Sequence, residues 1–155
     1  MSIRSRLAMT AAVLAAAAFT SSAALAAVAP LNPAAITITP VDKLKFEGGP
    51  HDPLVYKVYG DPAKAGPYAI IIRWRAHDGS HPHLHPQDRY ITVLEGTWWV
   101  STGPKFDPAS ATPVKPGELV VHKANEIHYD GARDEDAVIL ITGMGPAPTI
   151  DKEVK

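Results

Sequence analysis

Short apolar runs separated by turn residues dominate the chain after its first 40 positions. Apolar and polar residues alternate clearly in Leu54–Tyr59, whereas residues 69–72 are apolar throughout and are expected to be buried on both faces of a strand. The other predicted strands are 68–75, 90–94, 97–101, 118–123 and 137–142, with turn signals that include Asp78-Gly79, Glu95-Gly96, Pro116-Gly117 and Asp130-Gly131. The best helix candidate, residues 61–64, is one turn at most. Many short strands at regular spacing predict an all-β sandwich or barrel.

The N-terminal residues 1–26 have the pattern of a secretory signal peptide. Arg4 and Arg6 precede a run of apolar or small residues over 7–19, and residues 24–26 offer a small-x-small cleavage motif. A membrane anchor is the competing interpretation, but the run is rich in alanine, and a stable span needs roughly 20 strongly apolar residues. We therefore expect cleavage and a periplasmic or secreted protein. An Ala/Pro-rich arm at 27–40 and a single domain at 41–155 would remain.

The charge balance argues against several classes of partner. The 155 residues include 15 Lys and Arg and 16 Asp and Glu, for a formal net charge of −1. No basic stripe or polybasic segment points to nucleic acid or to anionic lipid, and no stable membrane anchor is expected after signal cleavage. The chain has no cysteine, which excludes a disulfide framework and a thiolate metal site. Any metal ligands must therefore be imidazole or oxygen.

Three of the seven histidines lie within five positions, at His81, His83 and His85. On an extended strand, residues two apart share a face, so His83 and His85 can point into the same interior. Neutral imidazole is a ligand for zinc, copper, iron and nickel, and the pair therefore indicates a transition metal rather than a particular ion. The alternative interpretation is a solvated His/Pro loop that binds metal only adventitiously.

Two longer stretches carry a family resemblance. Residues 83–96 run from His-Leu-His through a strand to glycine, which resembles the first signature of the cupin superfamily. Residues 117–128 open on Gly117 and reach His128 eleven positions later, which resembles the second signature. The likeness spans roughly residues 54–146 and is greatest to small single-domain bacterial cupins that close on GxGP, here residues 143–146. It implies a cupin-type double-stranded β-helix, or jelly-roll barrel, but no particular reaction.

The resemblance also implies a ligand set. His83, His85 and His128 take the three histidine positions of the family's metal site, and the expected ion is Fe, Mn, Zn, Ni or Cu. The family's glutamate falls, by spacing, on Arg89. Arginine is protonated at any working pH and cannot ligate a metal. A four-ligand site of the usual family kind is therefore not expected.

Three interpretations of Arg89 stay open. A three-histidine metal site would keep open positions, as catalytic sites do, and Arg89 would favour an anionic substrate through its bidentate fork. Alternatively, Asp88 replaces the missing carboxylate, although its even-numbered position should face outward unless a bulge intervenes. In the third interpretation the site holds no metal and Arg89 pairs with a carboxylate such as Asp130.

Other candidates have simpler interpretations as structural residues. Tyr129, next to His128, could donate a proton, although a buried tyrosine with a satisfied hydroxyl is the simpler interpretation. His81 could be an additional ligand or an exposed residue at the rim of the barrel. His122 is expected to be a core or edge histidine. Trp98 and Trp99 are neighbours on one strand, so one should face the interior and the other outward.

Two classes of function follow from these residues. The first is a periplasmic metal-dependent enzyme, resembling an oxygenase or an isomerase, with Arg89 and Tyr129 as candidate catalytic residues and a small, anionic organic substrate. The second is a non-catalytic module that binds a small ligand in a degenerate or metal-free site. Cupins commonly pair through sheet faces or edges, so the resemblance also implies a homodimer.

Overall fold

The computed structural model describes residues 29–155, and the predicted signal peptide lies outside them. Residues 29–38 carry a turn in which the Asn32 side chain accepts a hydrogen bond from the Ala34 amide at 3.0 Å. Residues 39–155 form a compact unit of ten strands. The strands are β1 (Leu54–Tyr59), β2 (Gly66–Trp74), β3 (His83–Leu84), β4 (Arg89–Glu95), β5 (Trp98–Thr102), β6 (Thr112–Val114), β7 (Leu119–His122), β8 (His128–Ala132), β9 (Ala137–Gly145) and β10 (Ile150–Asp151). Two 3-10 turns occur at Val41–Lys43 and Pro108–Ser110. In the described part of the chain, no helix is long and apolar enough to cross a membrane.

The strands form two five-stranded antiparallel sheets. One has the order β1-β2-β9-β4-β7 and the other β10-β3-β8-β5-β6. Their inner faces share one core, because Ile91 and Ile139 of the first sheet cluster with Trp98 and Val114 of the second. The predicted all-β jelly-roll architecture is confirmed.

The six predicted strands are all present, but four short strands were not predicted. Prolines flank β3 at positions 82 and 86, and β6 contains Pro113, so their sequences resemble loops. The interpretation of Asp130-Gly131 as a turn is wrong, since both residues lie within β8. Glycine is needed there because a Cβ on Gly131 would lie 2.5 Å from the Asp78 carbonyl oxygen. Residues 61–64 form a turn and not a helix.

Alternation along β2 and β4 decides which side chains face the interior. Tyr68 and the even-numbered residues that follow it on β2 are buried, while Ala69 and Ile71 are half-buried. The expected burial of both faces at 69–72 is therefore only partial. On β4 the odd-numbered residues from Arg89 to Val93 are buried, which places Arg89 on the same inner face as Ile91.

Candidate metal centre

Two strands of the second sheet bring three histidines together. His83 of β3 and His128 of β8 are direct cross-strand partners, and His85 lies two residues beyond His83. The ring centroids are 4.5 Å apart for His83 and His128, 5.0 Å for His83 and His85, and 5.5 Å for His85 and His128. One nitrogen from each ring lies within 4.8 Å of the other two. The structure thus brings together the three histidines that the family resemblance implied as one group.

Backbone carbonyls fix the tautomer of all three rings. The Nδ1 atoms of His83, His85 and His128 contact the carbonyl oxygens of His81 at 2.7 Å, Pro148 at 3.0 Å and Glu126 at 3.0 Å, respectively. A carbonyl oxygen can only accept a hydrogen bond, so each Nδ1 carries the proton. Each Nε2 then presents a lone pair. Metal-ligating histidines commonly have this outer hydrogen bond, which orients the ring and raises its basicity.

The environment favours the neutral imidazoles of His85 and His128. Burial lowers the pKa of His85 to about 3, with the charge of Arg89 as the second cause, and burial also lowers the pKa of His128. The Nε2 atom of His128 is buried without a hydrogen-bond partner. Buried polar atoms without partners are uncommon and costly. A neutral ring with an unpartnered lone pair is the form that binds a divalent metal, so the three residues fit such an ion.

Arg89 lies against this centre. Its Nη1 donates a hydrogen bond to His85 Nε2, and its Nε is buried without an acceptor. Burial lowers the pKa of Arg89, while the nearby Tyr68 hydroxyl and Asp130 carboxylate raise it. No carboxylate of the described residues lies within ion-pair distance of Arg89. Asp130 instead accepts a hydrogen bond from Trp98 Nε1 at 3.2 Å.

A row of residues across the first sheet accounts for the position of Arg89. Gly143 of β9 is the cross-strand partner of Tyr68 on one side and of Arg89 on the other, and Arg89 in turn pairs with His122 of β7. A Cβ on Gly143 would lie 3.0 Å from the Tyr68 hydroxyl oxygen. The absence of a side chain at Gly143 therefore lets the tyrosine hydroxyl extend across β9 toward the guanidinium.

A cavity of about 400 Å³ adjoins the centre. His83, His85 and Arg89 contribute to its polar side, which also includes Asp130 and Asp52. The apolar side is formed by inward-facing residues of two adjacent strands, which are Ile70, Ile72, Trp74 and Ile141. A small organic molecule could therefore contact apolar side chains and the histidine group at once.

Known structures share this fold, although no family model and no curated protein sequence matches the chain. The polyketide cyclase RemF from Streptomyces resistomycificus superposes with a TM-score of 0.63 at 18% identity, covering 77% of this chain and 87% of that one. A cupin-like protein from Thermotoga maritima gives a TM-score of 0.58 at 18% identity, over 74% and 90% of the two chains. KdgF from Halomonas sp. gives 0.55 at 16% identity, over 70% and 95%.

The chain has the cupin fold. At these identities the likeness concerns the fold alone, and it confirms the architecture that the two sequence signatures implied. Within this cupin barrel, the position expected for the glutamate ligand holds Arg89 on the inner face, as the strand parity predicted.

The remaining site candidates lie at different places around the cupin barrel. The Asp88 carboxylate accepts a hydrogen bond from the Ala124 amide at 2.7 Å and belongs to neither of the two groups of potential metal ligands. The Tyr129 hydroxyl contacts the backbone of Asp107 and the Ser110 hydroxyl, so the structure does not bring it to the histidines. The exposed His81 contacts Glu153 at 3.1 Å. The catalytic roles of Arg89 and Tyr129 stay predictions.

Sequence reasoning missed the closeness of His122 to the centre. Its ring centroid lies 3.8 Å from that of His128, and its Nδ1 is buried without a partner. His122, His128 and Asp130 form a second group of potential ligands, also within 4.8 Å of one another. The separation of six residues along the chain did not indicate this contact, because the two histidines lie on strands of different sheets.

The buried histidines predict that the metal-free protein loses stability in mild acid. Burial lowers the pKa of His85 to about 3 and of His122 to about 2, against 6.5 for an ordinary histidine. The unfolded chain therefore takes up protons as the pH falls below that ordinary value while the folded chain does not, and the free energy of unfolding decreases. With EDTA present, we expect the urea midpoint to fall between about pH 7.5 and about pH 5, where few carboxylates titrate.

A His122→Phe variant is the matched control for this experiment. It keeps an aromatic ring beside Trp98 but removes one buried titrating group, so its urea midpoint should depend less on pH. A wild-type midpoint that stays constant or rises in acid contradicts the assignment of neutral, buried histidines.

Proposed function

We propose that this protein is a metal-dependent enzyme that acts on a small anionic organic molecule, by isomerisation or by oxidation with dioxygen. The observation that supports this proposal most is that three imidazoles share the same tautomer. His83, His85 and His128 each donate a hydrogen bond from Nδ1 to a backbone carbonyl, and one nitrogen of each buried ring lies within 4.8 Å of the other two. Three protein ligands leave coordination positions open, as catalytic metal sites do. That RemF is a polyketide cyclase supports catalysis as a use of the same fold.

The residues of the chain have distinct roles in this proposal. The three histidines hold the ion, which when bound would polarise a substrate oxygen or activate water or dioxygen. Arg89 attracts and orients the anionic group of the substrate through its guanidinium. The apolar side of the cavity, with Ile70 and Ile141, binds the substrate's carbon skeleton and excludes water.

Turnover of a panel of carboxylic acids tests the proposed activity. Metal-loaded protein is incubated with aliphatic and aromatic acids, and each mixture is followed by proton NMR and with an oxygen electrode. We expect at least one acid to be converted by the wild type and left unchanged by the His83→Ala variant, which lacks a ligand. If conversion is absent throughout the panel, or if His83→Ala matches the wild type, catalysis at this centre is wrong.

A non-catalytic binding module is the second candidate, and the contact between Arg89 and His85 favours it. A guanidinium that occupies the lone pair of one ligand could substitute for the metal and hold an anion by itself. In that case Arg89→Ala should abolish binding of an anionic ligand while a chelator has no effect. A ligand affinity that falls on chelation counts against this candidate.

We further propose that the protein works outside the cytoplasm, as a homodimer. The signal pattern of residues 1–26 supports export, and exposed apolar residues on the edge strand β7, Leu119 and Val121, support association. N-terminal sequencing of the exported protein and analytical ultracentrifugation test the two statements separately.

A further inference from the structure

We propose that Arg89 makes metal binding and carboxylate binding mutually dependent. In the absence of a ligand the guanidinium competes with the metal for His85, and a small carboxylate with an apolar body relieves this competition by binding the guanidinium. The inference rests on the proposed three-histidine metal centre. It adds the ligand class and the direction of the coupling.

The competition follows from the single lone pair of a neutral imidazole. His85 Nδ1 donates to the Pro148 carbonyl at 3.0 Å, so Nε2 is its only available lone pair. Arg89 Nη1 donates to that same atom. A metal ion held by His83, His85 and His128 needs the same lone pair. The Arg89–His85 hydrogen bond and the metal–His85 bond therefore exclude each other.

If Arg89 gave up its hydrogen bond to His85, its buried positive charge would have too few polar partners. Its side chain is buried, the residue being 9% exposed, and its Nε already has no acceptor. The Tyr68 hydroxyl is a nearby neutral partner, and no carboxylate of residues 29–155 pairs with the guanidinium. The Asp130 carboxylate acts on the guanidinium only from beyond ion-pair distance, and a buried cation beside a divalent ion, without a carboxylate in direct contact, is strongly unfavourable. An anion that binds at this position removes that penalty.

The cavity indicates the chemical class of the anion. A guanidinium binds the two oxygens of a carboxylate in a parallel, bidentate arrangement. The space next to Arg89 is bordered by Ile70, Ile72, Trp74 and Ile141, within a volume of about 400 Å³. Apolar surroundings disfavour strongly hydrated inorganic anions and favour a carboxylate attached to a hydrocarbon group. The ligand class is therefore a small monocarboxylic acid with an apolar body.

Titration with Co²⁺ in carboxylate-free buffer, followed by calorimetry and by visible absorption, measures the coupling without any assay of activity. Benzoate and hexanoate are the probes, benzyl alcohol supplies an uncharged aromatic control, and sulfate an anion without an apolar body. Either carboxylate should tighten Co²⁺ binding to the wild type by roughly 5-fold or more, within the usual range for coupled sites. The two controls should have little effect.

Arg89→Met is the decisive variant because it removes the competing donor and keeps a long side chain. We expect it to bind Co²⁺ roughly tenfold or more tightly than the wild type when no carboxylate is present, since a like-charged neighbour has been removed. Benzoate should no longer change that affinity. If the Arg89→Met variant does not fold, Arg89→Gln is measured instead. If neither variant folds, the titrations of the wild type with and without carboxylate test the proposal.

The results that would contradict these expectations distinguish an error in the metal centre from an error in the role of Arg89. If neither the wild type nor Arg89→Met binds Co²⁺ with any probe, the metal centre itself is wrong. If both bind Co²⁺ with the same affinity and neither carboxylate changes it, the metal centre stands and the role of Arg89 is overturned. An equal effect of sulfate and benzoate overturns the assignment of an apolar carboxylate.

Discussion

A His128→Ala variant should lose the specific binding of a divalent transition metal that we propose for this chain. In the proposed centre His128 is the ligand from β8, and the other two histidines both come from the segment around β3. The loss of affinity should exceed the ~10- to 100-fold that follows the removal of an outer-shell partner, because a direct ligand is removed. Isothermal titration with Zn²⁺ or Co²⁺ measures the change. Circular dichroism shows whether the variant keeps its fold.

His81→Ala is the matched control for this loss. His81 belongs to the same short His/Pro segment, but its side chain is exposed and contacts Glu153. Only its backbone carbonyl supports His83, and the substitution retains that carbonyl. We expect unchanged metal affinity. Equal losses in His81→Ala and His128→Ala would indicate adventitious binding by the histidine tract, as in the solvated-loop interpretation.

Replacing Trp98 with alanine should have the largest effect on stability. Trp98 is 0% exposed, packs in the shared core of the two sheets and donates to Asp130 Oδ1 at 3.2 Å. Truncation of a buried aromatic residue creates a cavity and typically lowers the free energy of unfolding by about 3–5 kcal/mol. It also removes the hydrogen bond that Trp98 Nε1 donates to the Asp130 carboxylate, which lies in the same group of potential ligands as His128. Urea unfolding of the metal-free protein measures the change without a contribution from ligand binding.

The adjacent Trp99 offers an internal comparison. It lies on the opposite face of β5, is half-buried, and has the Arg133 guanidinium 3.6 Å from its ring centroid. An exposed cation–π contact contributes about 0.5–1 kcal/mol, so Trp99→Ala should cost much less than Trp98→Ala. If the two variants are destabilised equally, the strand is not oriented as described.

Much of the fold could be predicted from the sequence because alternation reports which face of a strand is buried. The run Leu54–Tyr59 has the predicted bounds, and the opposite orientations of Trp98 and Trp99 follow from neighbouring positions on one strand. The short strands β3 and β8 could not be predicted in this way. Their residues include two histidines, an aspartate and a glycine, which suit the site and close backbone contacts and have low strand propensity, and prolines lie near both ends of β3.

The candidate site was only partly predictable. His83, His85 and His128 were found through spacing and resemblance, and the departure at Arg89 was visible as well. The tautomer of His85 could not be predicted, because the carbonyl that fixes it belongs to Pro148, which is 63 residues away along the chain. The contact between Arg89 and His85, and that between His122 and His128, likewise depend on how the two sheets meet. Such contacts leave no local pattern in a sequence.

The metal content of the protein, produced from its full sequence and purified without a histidine tag, tests the central claim most directly. Elemental analysis by mass spectrometry should find one transition-metal ion per chain in the wild type. The His83→Ala variant, prepared in the same way, should contain substantially less than one. A wild-type protein without stoichiometric metal, or a variant that retains the full amount, would contradict a three-histidine metal centre in this barrel.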